Sequence, residues 1–186
     1  STLRRDYTMA DLSGKTVAFL LTNGVEEVEL TRPRKALDDA GAKTVIVSPA
    51  EGTLTAMNGD WDHADSFSVD VPLAEANPED YDALVLPGGT LNADALRIAD
   101  GATDFVRAFF DQNKTVAAIC HAPWILAQAD LARGRRLTSF SSITTDLINA
   151  GAAWEDEQVV VDGNLITSRN PHDIDAFNAA ISEALS

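Results

Sequence analysis

The stretch Thr115-Val-Ala-Ala-Ile-Cys-His-Ala-Pro-Trp124 carries a short apolar run straight into a cysteine, a histidine and a proline. Thr115 to Ile119 has no charged residue, the mark of a strand covered on both faces. Pro123 suits the first turn of a helix, where its missing N–H removes no hydrogen bond, so a helix is expected over residues 121–129. Cys120 then stands on the corner between strand and helix. Ala118 and Ala122 lie two residues to either side, the small-x-nucleophile-x-small spacing of a nucleophile elbow. Such a corner aims backbone N–H groups and the positive end of a helix dipole at the thiol. That setting lowers a cysteine pKa from ~8.5 to ~3.5–7.5 and makes the thiolate abundant at neutral pH.

The same rhythm of buried strand, turn and amphipathic helix extends in both directions. Thr16 to Thr22 is an apolar strand, Asn23-Gly24 a turn, and residues 26–40 a helix ending at Gly41. Pro33 should kink that helix or displace its start. A strand follows at Thr44 to Ser48, then a hairpin excursion over residues 52–72. Tyr81 to Leu86 is a strand running into Pro87-Gly88-Gly89, and residues 103–112 form a helix with Phe105, Val106, Phe109 and Phe110 inward. Beyond the central corner come a short strand at Leu137 to Phe140 and a helix over residues 143–150. A hairpin across Asp162-Gly-Asn164 and a closing helix over residues 172–185 complete the chain. Strands alternating with helices predict an α/β fold whose mostly parallel sheet carries helices on both faces. Ligands in such folds sit at the carboxyl ends of the strands.

Composition bounds the function. The 186 residues include 29 acidic and 14 basic side chains, for a formal charge of −15. That balance repels phosphate backbones, and the basic clusters, Arg4-Arg5 and Arg133-Gly-Arg-Arg136, are too short to offset it, so no nucleic-acid partner is expected. The length suits one domain over residues 15–186 preceded by an arm over residues 1–14. A lone cysteine forms no intrachain disulfide. No run approaches the ~20 apolar residues of a membrane span, and a cytoplasmic location is expected.

Of the histidines, His121 is the nearest base for Cys120, although sequence neighbours usually point apart and only a distorted elbow would join them. His63 and His172 are expected at the surface. Three scattered histidines and one cysteine lack the spacing of a metal site, so no metal and no other cofactor are expected. Glu26 and Glu29 follow the first strand and share one helix face near the same sheet edge. Buried beside sulfur, one of them would stay protonated and donate a hydrogen bond; the spacing does not choose which.

Taken in order, Thr22-Asn-Gly-Val-Glu-Glu-Val-Glu-Leu30, Ala83-Leu-Val-Leu-Pro-Gly-Gly89, Ala118-Ile-Cys-His-Ala-Pro123, Asn149-Ala-Gly-Ala-Ala-Trp154 and Val160-Val-Asp-Gly-Asn-Leu-Ile-Thr-Ser-Arg169 resemble the PfpI family. That family lies within the class I glutamine amidotransferase-like superfamily. The resemblance implies a flavodoxin-like three-layer sandwich with Cys120 on the elbow. It implies that Glu29 hydrogen-bonds the cysteine and that Glu26 lines the same pocket. Gly89 and the His121 N–H would form an oxyanion hole, with Gly88 and Ala122 beside it. An acidic residue after Pro-Gly-Gly, here Asp94 after one inserted residue, would orient His121 across a subunit interface. Phe140 stands where relatives often carry a tyrosine. The implied activities are glyoxalase- or deglycase-like action on reactive carbonyls or glycated proteins, intracellular peptide hydrolysis, or redox sensing and chaperoning in a stress response. The implied partners are a second copy of the chain, as a homodimer or a hexamer built from dimers.

Overall fold

The computed structural model describes residues 10–186. Most of the arm expected over residues 1–14, with Arg4-Arg5, lies outside the described residues. In chain order the first half comprises β1 (Thr16–Leu20), α1 (Glu27–Asp39), β2 (Lys43–Ser48), β3 (Thr53–Asn58), β4 (Asp62–Ser68), β5 (Val71–Pro72) and β6 (Ala83–Leu86). Next come α2 (Thr90–Leu96), α3 (Ala102–Asp111), β7 (Thr115–Ile119), α4 (Trp124–Gln128), β8 (Arg136–Leu137) and α5 (Thr144–Asn149). The chain closes with β9 (Ala153–Trp154), β10 (Val160–Asp162), β11 (Leu165–Ser168) and α6 (Ile174–Leu185). Seven strands form the main sheet in the order β10-β11-β7-β6-β1-β2-β5, and every pair is parallel except β10 with β11. The β3–β4 hairpin and the β8–β9 pair stand apart from it.

Burial explains the unbroken apolar strands. In β1, Val17 and Phe19 pack with residues of α1, α6 and the β3–β4 hairpin, while Ala18 and Leu20 pack with residues of α2 to α5. Alternate side chains of one strand therefore enter two separate cores, so neither face tolerates a polar alternation. The result is the expected three-layer sandwich, and it brings the carboxyl ends of β1, β6 and β7 side by side. Among the described residues, no helix is long and apolar enough to cross a membrane.

Local departures have physical causes. Pro33 neither breaks α1 nor shifts its start; the helix runs through it, with Leu30, Pro33 and Leu37 buried. Packing of that face outweighs the single lost backbone hydrogen bond. The helix expected from residue 121 begins at Trp124 and is five residues long, because residues 121–123 are spent in a turn. The strand expected over residues 137–140 is reduced to the β8 pair, and Phe110 is only half-buried. Helix α2 was not anticipated; it lies directly after Pro87-Gly-Gly89, buries Asn92, Ala93 and Leu96, and leaves Leu91 exposed.

Within α3, Phe105 and Phe109 meet edge to face at 5.2 Å, and Phe109 is fully buried. Phe109→Ala should destabilise the protein by about 3–5 kcal/mol through lost transfer energy and a residual cavity. A urea midpoint equal to that of the parent would contradict this packing account.

Candidate active site

Cys120 follows the last residue of β7 with a φ of +64°, the left-handed region that a side-chain-bearing residue seldom occupies. Its neighbours hold it there. The Cys120 N–H donates to the Ser168 carbonyl at 3.1 Å, its carbonyl accepts from the Phe140 N–H at 2.8 Å, and Ala122 N–H closes the turn on Ile119 O at 3.1 Å. The distorted elbow that the sequence required is therefore present. It folds the His121 ring back over the sulfur, with Nδ1 3.3 Å from Sγ.

The loop after β6 supplies the floor. Gly88 N–H donates to Glu29 Oε1 at 2.9 Å. A Cβ on Gly88 would lie 2.5 Å from that oxygen and 2.7 Å from Cys120 Cβ, so only glycine lets acid and thiol approach. Gly89 has a φ of +94°, and a Cβ there would strike the backbone around Glu26, 2.7 Å from its nitrogen. The backbone N–H groups of Gly89 and His121 lie by the sulfur and favour its anion. Asn92 is buried and ties the layer together, donating to the carbonyls of Pro87 and Gly88 and accepting from the Thr22 N–H at 2.7 Å.

The far edge of the imidazole is also occupied. His121 Nε2 lies 3.0 Å from Ser142 Oγ and 3.5 Å from Thr90 Oγ1, and the ring stacks on Phe140 at 4.6 Å. Thr90 in turn donates twice to Asp60, from its N–H at 3.0 Å and from its hydroxyl at 2.7 Å. Asp60 sits at the tip of the β3–β4 hairpin, where the Glu26 carboxylate accepts from the Gly59 N–H at 3.0 and 3.1 Å.

These residues enclose a cleft of about 250 Å³ lined by Glu26, Glu29, Gly59, Asp60, Gly89, Cys120, His121, Phe140 and Pro171. Of the residues singled out from sequence, Cys120, His121, Glu29, Glu26 and Gly89 meet here, with Gly88 and Ala122 against the elbow. Asp94 is exposed on α2 and does not line the cleft within this chain. His63 and His172 are exposed, as expected. Asp60, Thr90, Ser142 and Asn92 were missed. The one sequence signal for Asp60 was its place after Gly59 in a hairpin turn, and nothing local says that this turn closes over Cys120. Among the described residues, no three His, Cys, Asp or Glu side chains are grouped to hold a metal ion.

Comparison with known proteins places this geometry in context. The model of the DJ-1/PfpI family matches residues 15–184. The chain is 43% identical over 161 residues to "Deglycase PH1704" of Pyrococcus horikoshii, covering 87% of this chain and 93% of that protein. It is 40% identical over 164 residues to Bacillus subtilis YraA, which is named provisionally as a cysteine protease, covering 88% and 94% of the two chains. Among solved structures, DJ-1beta of Drosophila melanogaster superposes with a TM-score of 0.83 at 32% identity, covering 92% of this chain and 90% of that one. A two-domain Anabaena variabilis protein with DJ-1/ThiJ/PfpI-like and ferritin-like domains gives a TM-score of 0.86 at 38% identity; the match covers 92% of this chain and 48% of that longer one.

Burial sets the protonation of the cleft. Glu29 is fully buried with no cation beside it among the described residues, and desolvation followed by repulsion from Glu26 pushes its pKa up to about 8, against the opposing Gly88 N–H. Among the described residues its Oε2 has no hydrogen-bond partner, and the Cys120 thiol is its neighbour. The thiol is not lowered as the elbow spacing led one to expect. Desolvation and the nearby Glu29 raise it, and the N–H groups of Gly89 and His121 offset this only in part; no long helix starts at the cysteine to help. His121 is shifted down by desolvation, with Asp60 opposing. Because the folded pKa of Glu29 exceeds its ordinary value of 4.5, the native state binds the extra proton between about pH 4.5 and about pH 8. Stability should therefore be greatest below that window and fall as pH rises through it. In Glu29→Gln this slope should vanish, and urea titrations showing parallel pH profiles for parent and variant would refute the assignment.

Proposed function

Because this chain belongs to the DJ-1/PfpI family, we propose that it is a cysteine-nucleophile hydrolase that converts reactive carbonyls through Cys120. The observation that carries the reading is Sγ held 3.3 Å from the His121 Nδ1 in a cleft that Gly89 and His121 both line. A thiol raised by burial needs a base, and an imidazole shifted down is neutral and able to act as one. As Sγ attacks an aldehyde carbon, its proton passes to Nδ1. The carbonyl π electrons move onto oxygen, which the Gly89 and His121 N–H groups stabilise.

With methylglyoxal, protonation of that oxygen gives a hemithioacetal. Loss of its C–H proton to a base and reprotonation at the neighbouring carbon gives a thioester, which water hydrolyses to lactate and the free thiol. Glu29, kept protonated by burial beside the thiol, supplies a proton to the reacting oxygen. Among the described residues the lining contains Glu26, Glu29 and Asp60 and no lysine or arginine, so a neutral carbonyl meets less repulsion than an anionic one.

Peptide hydrolysis is the second reading, favoured by the name of YraA and by the same Sγ–Nδ1 pair. It asks more of His121, which must protonate a leaving amine, and it draws on Asp94 from a neighbouring subunit of a homo-oligomer. Asp94→Ala should then slow cleavage of a fluorogenic peptide, and a parent rate would remove this reading. For the carbonyl reaction, purified protein mixed with methylglyoxal should form lactate, and Cys120→Ser should form at least ~100-fold less. Equal lactate from both proteins would sink the proposal.

A further inference from the structure

Asp60 lines the cleft but hydrogen-bonds neither the sulfur nor the imidazole, and its link to the ring runs through Thr90. A carboxylate only accepts hydrogen bonds, and a hydroxyl has a single hydrogen to give. Asp60 Oδ1 takes the Thr90 N–H at 3.0 Å and Oδ2 takes the Thr90 hydroxyl hydrogen at 2.7 Å. Thr90 Oγ1 can then present only a lone pair to His121 Nε2, 3.5 Å away.

We propose that Asp60 is a positioning residue which, through Thr90, keeps the proton of neutral His121 on Nε2 and leaves Nδ1 bare toward the Cys120 sulfur. The inference rests on the reading of His121 as the base for Cys120. An N–H at Nε2 meets the Thr90 lone pair and can donate to Ser142 Oγ at 3.0 Å, whereas a bare Nε2 would oppose the Thr90 oxygen lone pair to lone pair. The charge of Asp60 also acts on the ring and opposes the downward shift that burial imposes on it. Stacking of the ring on Phe140 at 4.6 Å, with 24° between the planes, opposes a flip that would exchange the two nitrogens.

The hairpin tip is built to hold the clamp. Gly59 N–H is fixed by the Glu26 carboxylate, and Asp60 itself has a φ of +67°, a conformation that Asp and Asn adopt more readily than other side-chain-bearing residues. Asp60→Asn therefore preserves the backbone while changing one atom's role. The amide oxygen keeps the Thr90 N–H, and the amide nitrogen donates to Thr90 Oγ1, releasing the hydroxyl hydrogen toward Nε2.

The test is imidazole-nitrogen NMR on the full chain with labelled histidine, alongside methylglyoxal turnover. The parent should show His121 protonated at Nε2. Asp60→Asn should move the proton to Nδ1 and lower kcat by about a hundredfold with KM changed less than about twofold. Adding Thr90→Val to Asp60→Asn removes the misdirected hydroxyl hydrogen along with the clamp and should return only part of the proton to Nε2 and part of the lost kcat, which a purely structural role for Asp60 does not predict. A parent protonated at Nδ1, or an Asp60→Asn protein with its proton still on Nε2, overturns the inference. If Asp60→Asn moves the proton while Cys120→Ser turns over as fast as the parent, the positioning stands and the catalytic reading falls.

Discussion

A cysteine held at a φ of +64° is the constraint on which the cleft depends. Backbone in that region costs ~1–3 kcal/mol for a residue with a side chain and persists only where its surroundings over-determine it. Here β11 takes the N–H, the segment before α5 takes the carbonyl, and Gly88 removes the side chain that would occupy the space beneath. The strain has a geometric product. Regular backbone would point Cys120 and His121 apart, whereas the left-handed corner sets Sγ and Nδ1 within 3.3 Å although the residues are adjacent in sequence.

Desolvation then decides the chemical state of what the corner assembles. Burial holds Glu29 as a neutral acid near neutrality, while the thiol is raised and the imidazole lowered, so all three favour their uncharged forms. Glu26 and Asp60 lie apart from these three. Each rests on a backbone N–H at the partly buried rim, Glu26 on Gly59 and Asp60 on Thr90.

Much of the frame was legible in the sequence. Apolar runs at Thr16 to Leu20, Ala83 to Leu86 and Thr115 to Ile119 read correctly as doubly buried strands, because burial on both faces leaves no room for polar alternation. The corner itself was legible from Ala118 and Ala122. What failed was everything that local pattern could not weigh. The missing helix at residues 121–123 was consumed by the turn that Cys120 makes, and α2 carries too short a periodicity to announce itself. The expected acidic thiol rested on a helix dipole, but a five-residue helix beginning four positions later supplies little of one against full burial.

By itself, then, the sequence determined the alternation of strands and helices, the place of the reactive-looking corner and the glutamates near it. Those features arise from residues within a turn or two of one another. Only the tertiary structure decided which glutamate is buried, which way the thiol is shifted, and that a hairpin tip delivers Asp60 to Thr90 and Thr90 toward His121 across separations of 30 and 31 residues. Protonation and hydrogen-bond partnership depend on burial and on distances between remote segments, and those quantities exist only once the layers have packed.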